Sequence, residues 1–157
     1  MMTTHSDIWL LVDTSGSMAE GQKLFQARGV VREIEQMIRL GYLQPGRLHL
    51  CSVCSVGVKE VLWNPDDDYP SCLMTAEGPF AGTALAEYIR GSEERIVIVT
   101  DGFWRTSVIN EVKDAVAGKS LGRIRIIKLG SSAAYLYGDC VYNAEFIWEA
   151  LDGWKVK

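Results

Sequence analysis

The chain has 157 residues, a formal net charge of -4 and an isoelectric point near 5.2. With 48% hydrophobic and 23% charged residues, it has the composition of one ordinary globular domain, expected to span 1–157. The acidic balance counts against nucleic acid or a membrane surface as the main partner, because both call for a basic face. No apolar run approaches the ~18 residues of a membrane span. Residues 1–7 lack the basic start of a signal peptide. The expected location is cytoplasmic.

Strands and helices alternate along the chain. Residues 8–12 (Ile-Trp-Leu-Leu-Val) form a continuous apolar run of strand length, as in a parallel strand covered on both faces. A helix is predicted over 22–40. There Leu24, Ala27, Val31, Ile34 and Ile38 step by three and four residues, and Arg28, Arg32, Glu35 and Arg39 take the other face. Gly41 and Pro45-Gly46 end it.

Residues 47–54 and 57–63 read as two strands of an antiparallel hairpin turning near Val56-Gly57. The stretch 64–81 is irregular and carries Asp66-Asp67-Asp68, expected to be a solvated acidic loop. A short helix follows over 83–90, then a second strongly buried strand over 95–100. A helix over 107–117, a strand over 123–129, a weak strand near 139–142 and a last helix near 144–151 complete the order. This alternation predicts an α/β domain: an open, doubly wound, mostly parallel sheet with one antiparallel edge strand and helices on both faces.

Cys51 and Cys54 make a C-x-x-C pair. Both fall within one predicted strand, where residues three apart face opposite sides. Reduced, mostly buried thiols are therefore expected rather than a zinc site.

Three segments carry chemistry. Asp13-Thr14-Ser15-Gly16-Ser17 follows the first apolar strand. In extended backbone, i, i+2 and i+4 share a side, so Asp13, Ser15 and Ser17 can aim three hard oxygens at one point. Such donors suit a divalent ion such as Mg²⁺. Gly82-Thr83 opens a short helix, and Thr100-Asp101-Gly102 ends the second apolar strand. Ligands of open α/β sheets bind beyond the carboxyl ends of strands, where strand order reverses. Adjacent apolar strands would bring Asp13 and Asp101 to that crevice, with Thr83 joining from a neighbouring loop.

These segments, in this order and over nearly the whole chain, resemble a von Willebrand factor A-type (vWA) domain with a complete metal-ion-dependent adhesion site. The family pattern is Asp-x-Ser-x-Ser, a distant Thr, and an Asp after a buried strand. Asp13, Ser15, Ser17, Thr83 and Asp101 fill it. The resemblance implies Mg²⁺ as the ion, with Mn²⁺ or Ca²⁺ as alternatives. Ser15 and Ser17 would bind through hydroxyls, Thr83 directly or through water, and Asp13 and Asp101 directly or through water. One coordination position stays open for an Asp or Glu of a partner protein. The resemblance extends to stand-alone cytosolic bacterial members associated with tellurium resistance. It thus implies a stress or defence role beside kinase, phosphatase or AAA-type ATPase components.

Two other readings compete: a haloacid-dehalogenase-type Mg²⁺-dependent phosphohydrolase, and a scaffold with a purely structural metal. The first needs a second Asp two residues after the nucleophile as general acid-base, and that position is Ser15. His5 and His49 are the only histidines and neither is placed as a base, so no enzyme activity is expected. Phe103 and Trp104, after the metal-type Asp-Gly, are candidate partner anchors, with packing beneath the loop as the competing role. The penultimate helix of the family is expected to be missing or reduced to a turn between 130 and 135, which puts switching of the last helix in doubt.

Overall fold

In the computed structural model, residues 7–44, 46–118, 122–130, 138 and 140–156 are described. Six strands form one sheet: β1 (Ile8–Asp13), β2 (Leu48–Cys54), β3 (Gly57–Val61), β4 (Arg95–Thr100), β5 (Ile124–Lys128) and β6 (Val141–Asn143). Their spatial order is β3-β2-β1-β4-β5-β6. Only the β2–β3 pair is antiparallel, with β3 at the edge. Strand order therefore reverses between β1 and β4, and the two most apolar strands lie side by side there.

Each face of the sheet is covered by helices. Leu10 and Val12 of β1 pack toward α1 (Lys23–Arg39), with Val97 and Val99 of β4 beside them. Leu11, Ile96 and Ile98 pack on the other face, against Leu85 and Ile89 of α2 (Gly82–Gly91) and Ile109 and Val112 of α3 (Thr106–Ala117). Burial on both faces is why these strands read as unbroken apolar runs rather than alternating ones. Each fully buried Leu, Ile or Val contributes about 1.5–3 kcal/mol of burial free energy. Helices α2 and α3 meet closely enough that a Cβ at Gly82 would overlap the Val108 side chain.

The long segment after β3 is tied down, though irregular. Arg32 donates to the Pro65 carbonyl at 2.9 Å, and its guanidinium lies 5.0 Å from the Trp63 ring and 5.3 Å from the Tyr69 ring. Arg28 holds the Leu73 carbonyl at 2.8 Å. These two arginines on the polar face of α1 clamp the loop and leave Asp66, Asp67 and Asp68 exposed. The same segment then runs beneath the Asp13 loop. Gly16 N–H donates to Gly78 O at 2.8 Å, and Glu77 N–H to Thr14 O at 3.1 Å.

The expected last helix is broken up. Residues 144–151 contain a 3-10 turn (Ala144–Phe146) and one α turn, α4 (Ile147–Ala150), and a second 3-10 turn (Asp152–Trp154) follows. Ile147, Ala150 and Leu151 face the core, while Phe146 and Trp148 point outward and Trp148 meets Tyr42 edge-on at 5.6 Å. The apolar pattern there belongs to two faces, not to one helical stripe. The penultimate helix is expected to be lost between 130 and 135, and residues 131–135 lie outside the described residues. Cys51 and Cys54 are free thiols of β2, with Cys51 buried and its thiol pushed up to about 12, chiefly by desolvation.

Candidate metal centre

Asp13 is the last residue of β1, with no exposed surface. Its carboxylate accepts from four donors. Oδ1 takes the Ser15 N–H at 2.8 Å and the Ser15 hydroxyl at 2.6 Å. Oδ2 takes the Thr100 hydroxyl at 2.6 Å and the Trp104 indole N–H at 3.4 Å. Burial nonetheless holds this carboxyl above its usual range, and the nearby charge of Asp101 adds to that. The hydrogen bonds from Ser15 and Thr100 pull the other way without overcoming it.

This arrangement gives Asp13 an organising role. The Ser15 proton is committed to Asp13, so the lone pairs of Ser15 Oγ are turned away from it and remain available to a cation. Asp101 follows β4, also with no exposed surface. Its Oδ1 accepts the Phe103 N–H at 3.1 Å. The turn needs Gly102, whose φ of +73° is one L side chains rarely adopt. Gly102 N–H donates to the Thr100 hydroxyl at 3.1 Å, so Thr100 links the two carboxylate loops.

The second oxygen of Asp101 carries a group the sequence reading missed. Lys23 Nζ lies 3.0 Å from Asp101 Oδ2 and 3.4 Å from the Ser17 carbonyl, with a side chain only 10% exposed. The Phe103 ring stands 4.5 Å over the ammonium. A signal was present in the sequence. Lys23 opens α1, where the helix dipole disfavours a cation, and no acidic residue sits in the first turn to offset it. A buried lysine at a helix start needs a carboxylate from elsewhere in the chain.

The remaining predicted residues divide. Ser17, in the 3-10 turn Gly16–Ala19, is partly buried and beside Lys23 through its carbonyl. Thr83 is exposed near the start of α2, and its hydroxyl donates to Glu111 at 3.3 Å. Of the two aromatics, Phe103 is 53% exposed, whereas Trp104 is 7% exposed. Trp104 stacks on Phe80 at 4.6 Å and donates to Asp13, so it packs under the loop and does not present an anchor. Thr100 and Trp104, as donors to Asp13, were also absent from the sequence reading.

No three His, Cys, Asp or Glu side chains converge on a metal-sized space among the described residues. The set is instead two carboxylates plus hydroxyls, all hard oxygen donors, which is the chemistry Mg²⁺ and Mn²⁺ select. A cation already lies against it in the form of the Lys23 ammonium. The donor set fits a divalent ion.

Neither a family model nor a curated protein sequence matches the chain. Solved structures do. A von Willebrand factor type A structure from Catenulispora acidiphila aligns over 97% of this chain and 38% of its own, at 16% identity and a TM-score of 0.49. The manganese-loaded TRAP protein of Plasmodium vivax aligns over 97% of this chain and 74% of its own, at 15% identity and a TM-score of 0.56. The pilus adhesin SpaC of Lactobacillus rhamnosus GG aligns over 98% and 28%, at 14% identity and a TM-score of 0.53. The fold is of the von Willebrand factor A type. The chain thus spans well under half the length of the Catenulispora and SpaC chains. In this vWA fold the β1 and β4 ends, which carry Asp13 and Asp101, meet at the reversal of strand order, where open sheets bind ligands.

Proposed function

We propose that this vWA-fold chain is a metal-dependent protein-interaction module. It would bind an Asp or Glu of a partner protein through a divalent ion, Mg²⁺ in the first instance. The observation that carries the reading is the orientation of Ser15 by a buried Asp13, with Asp101 on the adjacent strand end. Ser15 Oγ, Ser17 Oγ and Asp101 would hold the ion. Thr83 would join through the lone pairs of its hydroxyl, whose proton goes to Glu111. Asp13 would orient Ser15 and hold any water shared with the ion. The ion, when bound, supplies a Lewis-acidic position for a partner's carboxylate oxygen.

The phosphohydrolase reading is weaker on this geometry. A nucleophilic Asp13 would need a free oxygen, and both of its oxygens are capped by donors. Ser15, in the acid-base position, donates its proton to Asp13 rather than to a leaving group. The cytoplasmic bacterial setting, with kinase, phosphatase or AAA-type ATPase partners, belongs to the same proposal and rests on the sequence resemblance.

The test has two parts. Mn²⁺ should bind the purified protein with one site per chain by calorimetry, and Asp101→Ala should abolish that binding. Affinity capture in Mg²⁺ should retain a protein partner that EDTA releases. A protein that takes up no Mn²⁺, or partners retained equally in EDTA, would refute the reading.

A further inference from the structure

We propose that Lys23 is the residue that sets the metal affinity of this site, its ammonium acting as an internal cation that a divalent ion must displace. The proposal rests on the metal-site reading above and adds a role that the Asp-x-Ser-x-Ser pattern does not contain.

The geometry is specific. Nζ lies 3.0 Å from Asp101 Oδ2 and 3.4 Å from the carbonyl of Ser17, so it touches two of the residues offered to the ion. Asp101 has no solvent-exposed surface, so its negative charge is compensated by the protein and not by water. The site holds two carboxylates, and Asp13 already accepts from four donors. Asp101 is therefore the carboxylate with the most to give an ion, and the one Lys23 engages. An ammonium and a dication cannot share the same carboxylate oxygen at close range in a site that excludes water, because their repulsion is poorly screened there.

Release of Lys23 has a path. Its side chain reaches the site from the first residue of α1, between the exposed Phe103 ring and the Ser17 turn. A flexible four-carbon stem can swing its ammonium outward past that ring into water. The consequence is a site that stays paired and folded without metal. It binds metal more weakly than its oxygen donors alone would, and Lys23 becomes accessible only in the loaded state.

The experiment measures Mn²⁺ affinity by calorimetry for the wild type, Lys23→Met, Lys23→Gln and Lys23→Arg, together with the rate of Lys23 acylation in the wild type. The neutral variants should bind Mn²⁺ at least tenfold more tightly than the wild type, and Lys23→Arg no more tightly. In EDTA, Lys23→Met should melt below the wild type, and saturating Mn²⁺ should close that gap. In the wild type, an amine-reactive acylating reagent read by mass spectrometry should modify Lys23 at least fivefold faster with Mn²⁺ than with EDTA. Should Lys23→Met fail to fold, Lys23→Gln and the wild-type labelling still decide. Equal or weaker Mn²⁺ affinity in the neutral variants, or labelling of Lys23 that ignores metal, overturns the proposal while leaving the metal site standing. Absence of Mn²⁺ binding in wild type and variants alike overturns both.

Discussion

The two ends of β1 each carry an aspartate that accepts hydrogen bonds across the sheet, and the two are shifted in opposite directions. At the carboxyl end, Asp13 takes four donors, yet its carboxyl is held above the usual range because burial outweighs them. Just before the amino end, Asp7 takes His49 Nε2 at 2.8 Å and the Arg47 N–H at 3.0 Å, and its carboxyl lies below the usual range. The His49 hydrogen bond dominates there because Asp7 keeps much of its solvent. Hydrogen bonding alone does not decide the charge economy of a carboxylate. The degree of desolvation does, and it separates the water-excluded Asp13 from the partly solvated Asp7.

The harshest way to break the comparison is Asp13→Asn. Both oxygens accept, so an amide must turn its NH₂ against either the Ser15 pair or the Thr100 and Trp104 pair. The variant should lose about 3 kcal/mol in urea unfolding, the cost of buried donors facing a donor. It should also lose Mn²⁺ binding, because Ser15 is no longer oriented. Stability within about 0.5 kcal/mol of wild type would mean that the four-donor arrangement is not formed in solution.

Thr100→Val is the milder cut. It keeps shape while removing one donor to Asp13 and the acceptor of the Gly102 N–H. A loss of about 2 kcal/mol is expected, by the same measurement, from one charge-assisted bond and one orphaned amide. Because Thr100 bridges the two loops, Mn²⁺ affinity should fall by about tenfold rather than vanish, a difference of about 1.4 kcal/mol. An unchanged Mn²⁺ affinity would show that the loops of Asp13 and Asp101 are positioned independently.

The sequence made the carboxyl end of β1 far more legible than the other. Ile8 to Val12 and Ile96 to Val99 are continuous apolar runs, and an Asp directly after the first and two residues after the end of the second is visible without a structure. Lys23 has no place in the site expected from the sequence, since its partner Asp101 is 78 residues away. The clamp on His49 was invisible for a related reason. Trp9 stacks on His49 at 3.9 Å through the parallel β1–β2 register, and Glu60 reaches its Nδ1 from β3 at 2.8 Å. Register between strands is set by packing, which periodicity within one strand does not report. The last helix was overread because Phe146 and Trp148 are apolar but outward, so an apolar count mistook two faces for one.

The smallest expected effect, and the one that sharpens the contrast most, is the pH response of His49→Gln. Burial lowers the pKa of His49, but hydrogen bonds to Asp7 and Glu60 outweigh it, so the folded value lies above 6.5. The charged clamp therefore stabilises fully below about pH 6.5 and is lost as pH rises through that raised value. The share of Asp7 runs the other way: it is present above 3.8 and lost as pH falls through the lowered folded value. Between those limits the wild type should melt about 1–3 °C above His49→Gln, the scale of a half-exposed ion pair. The difference should shrink toward pH 9, leaving only a constant remainder from the lost stacking on Trp9. A difference that holds constant from pH 5 to pH 9 would assign the whole effect to stacking. The amino end of β1 would then carry no charge pair, and burial alone could not explain the opposite shifts of Asp7 and Asp13.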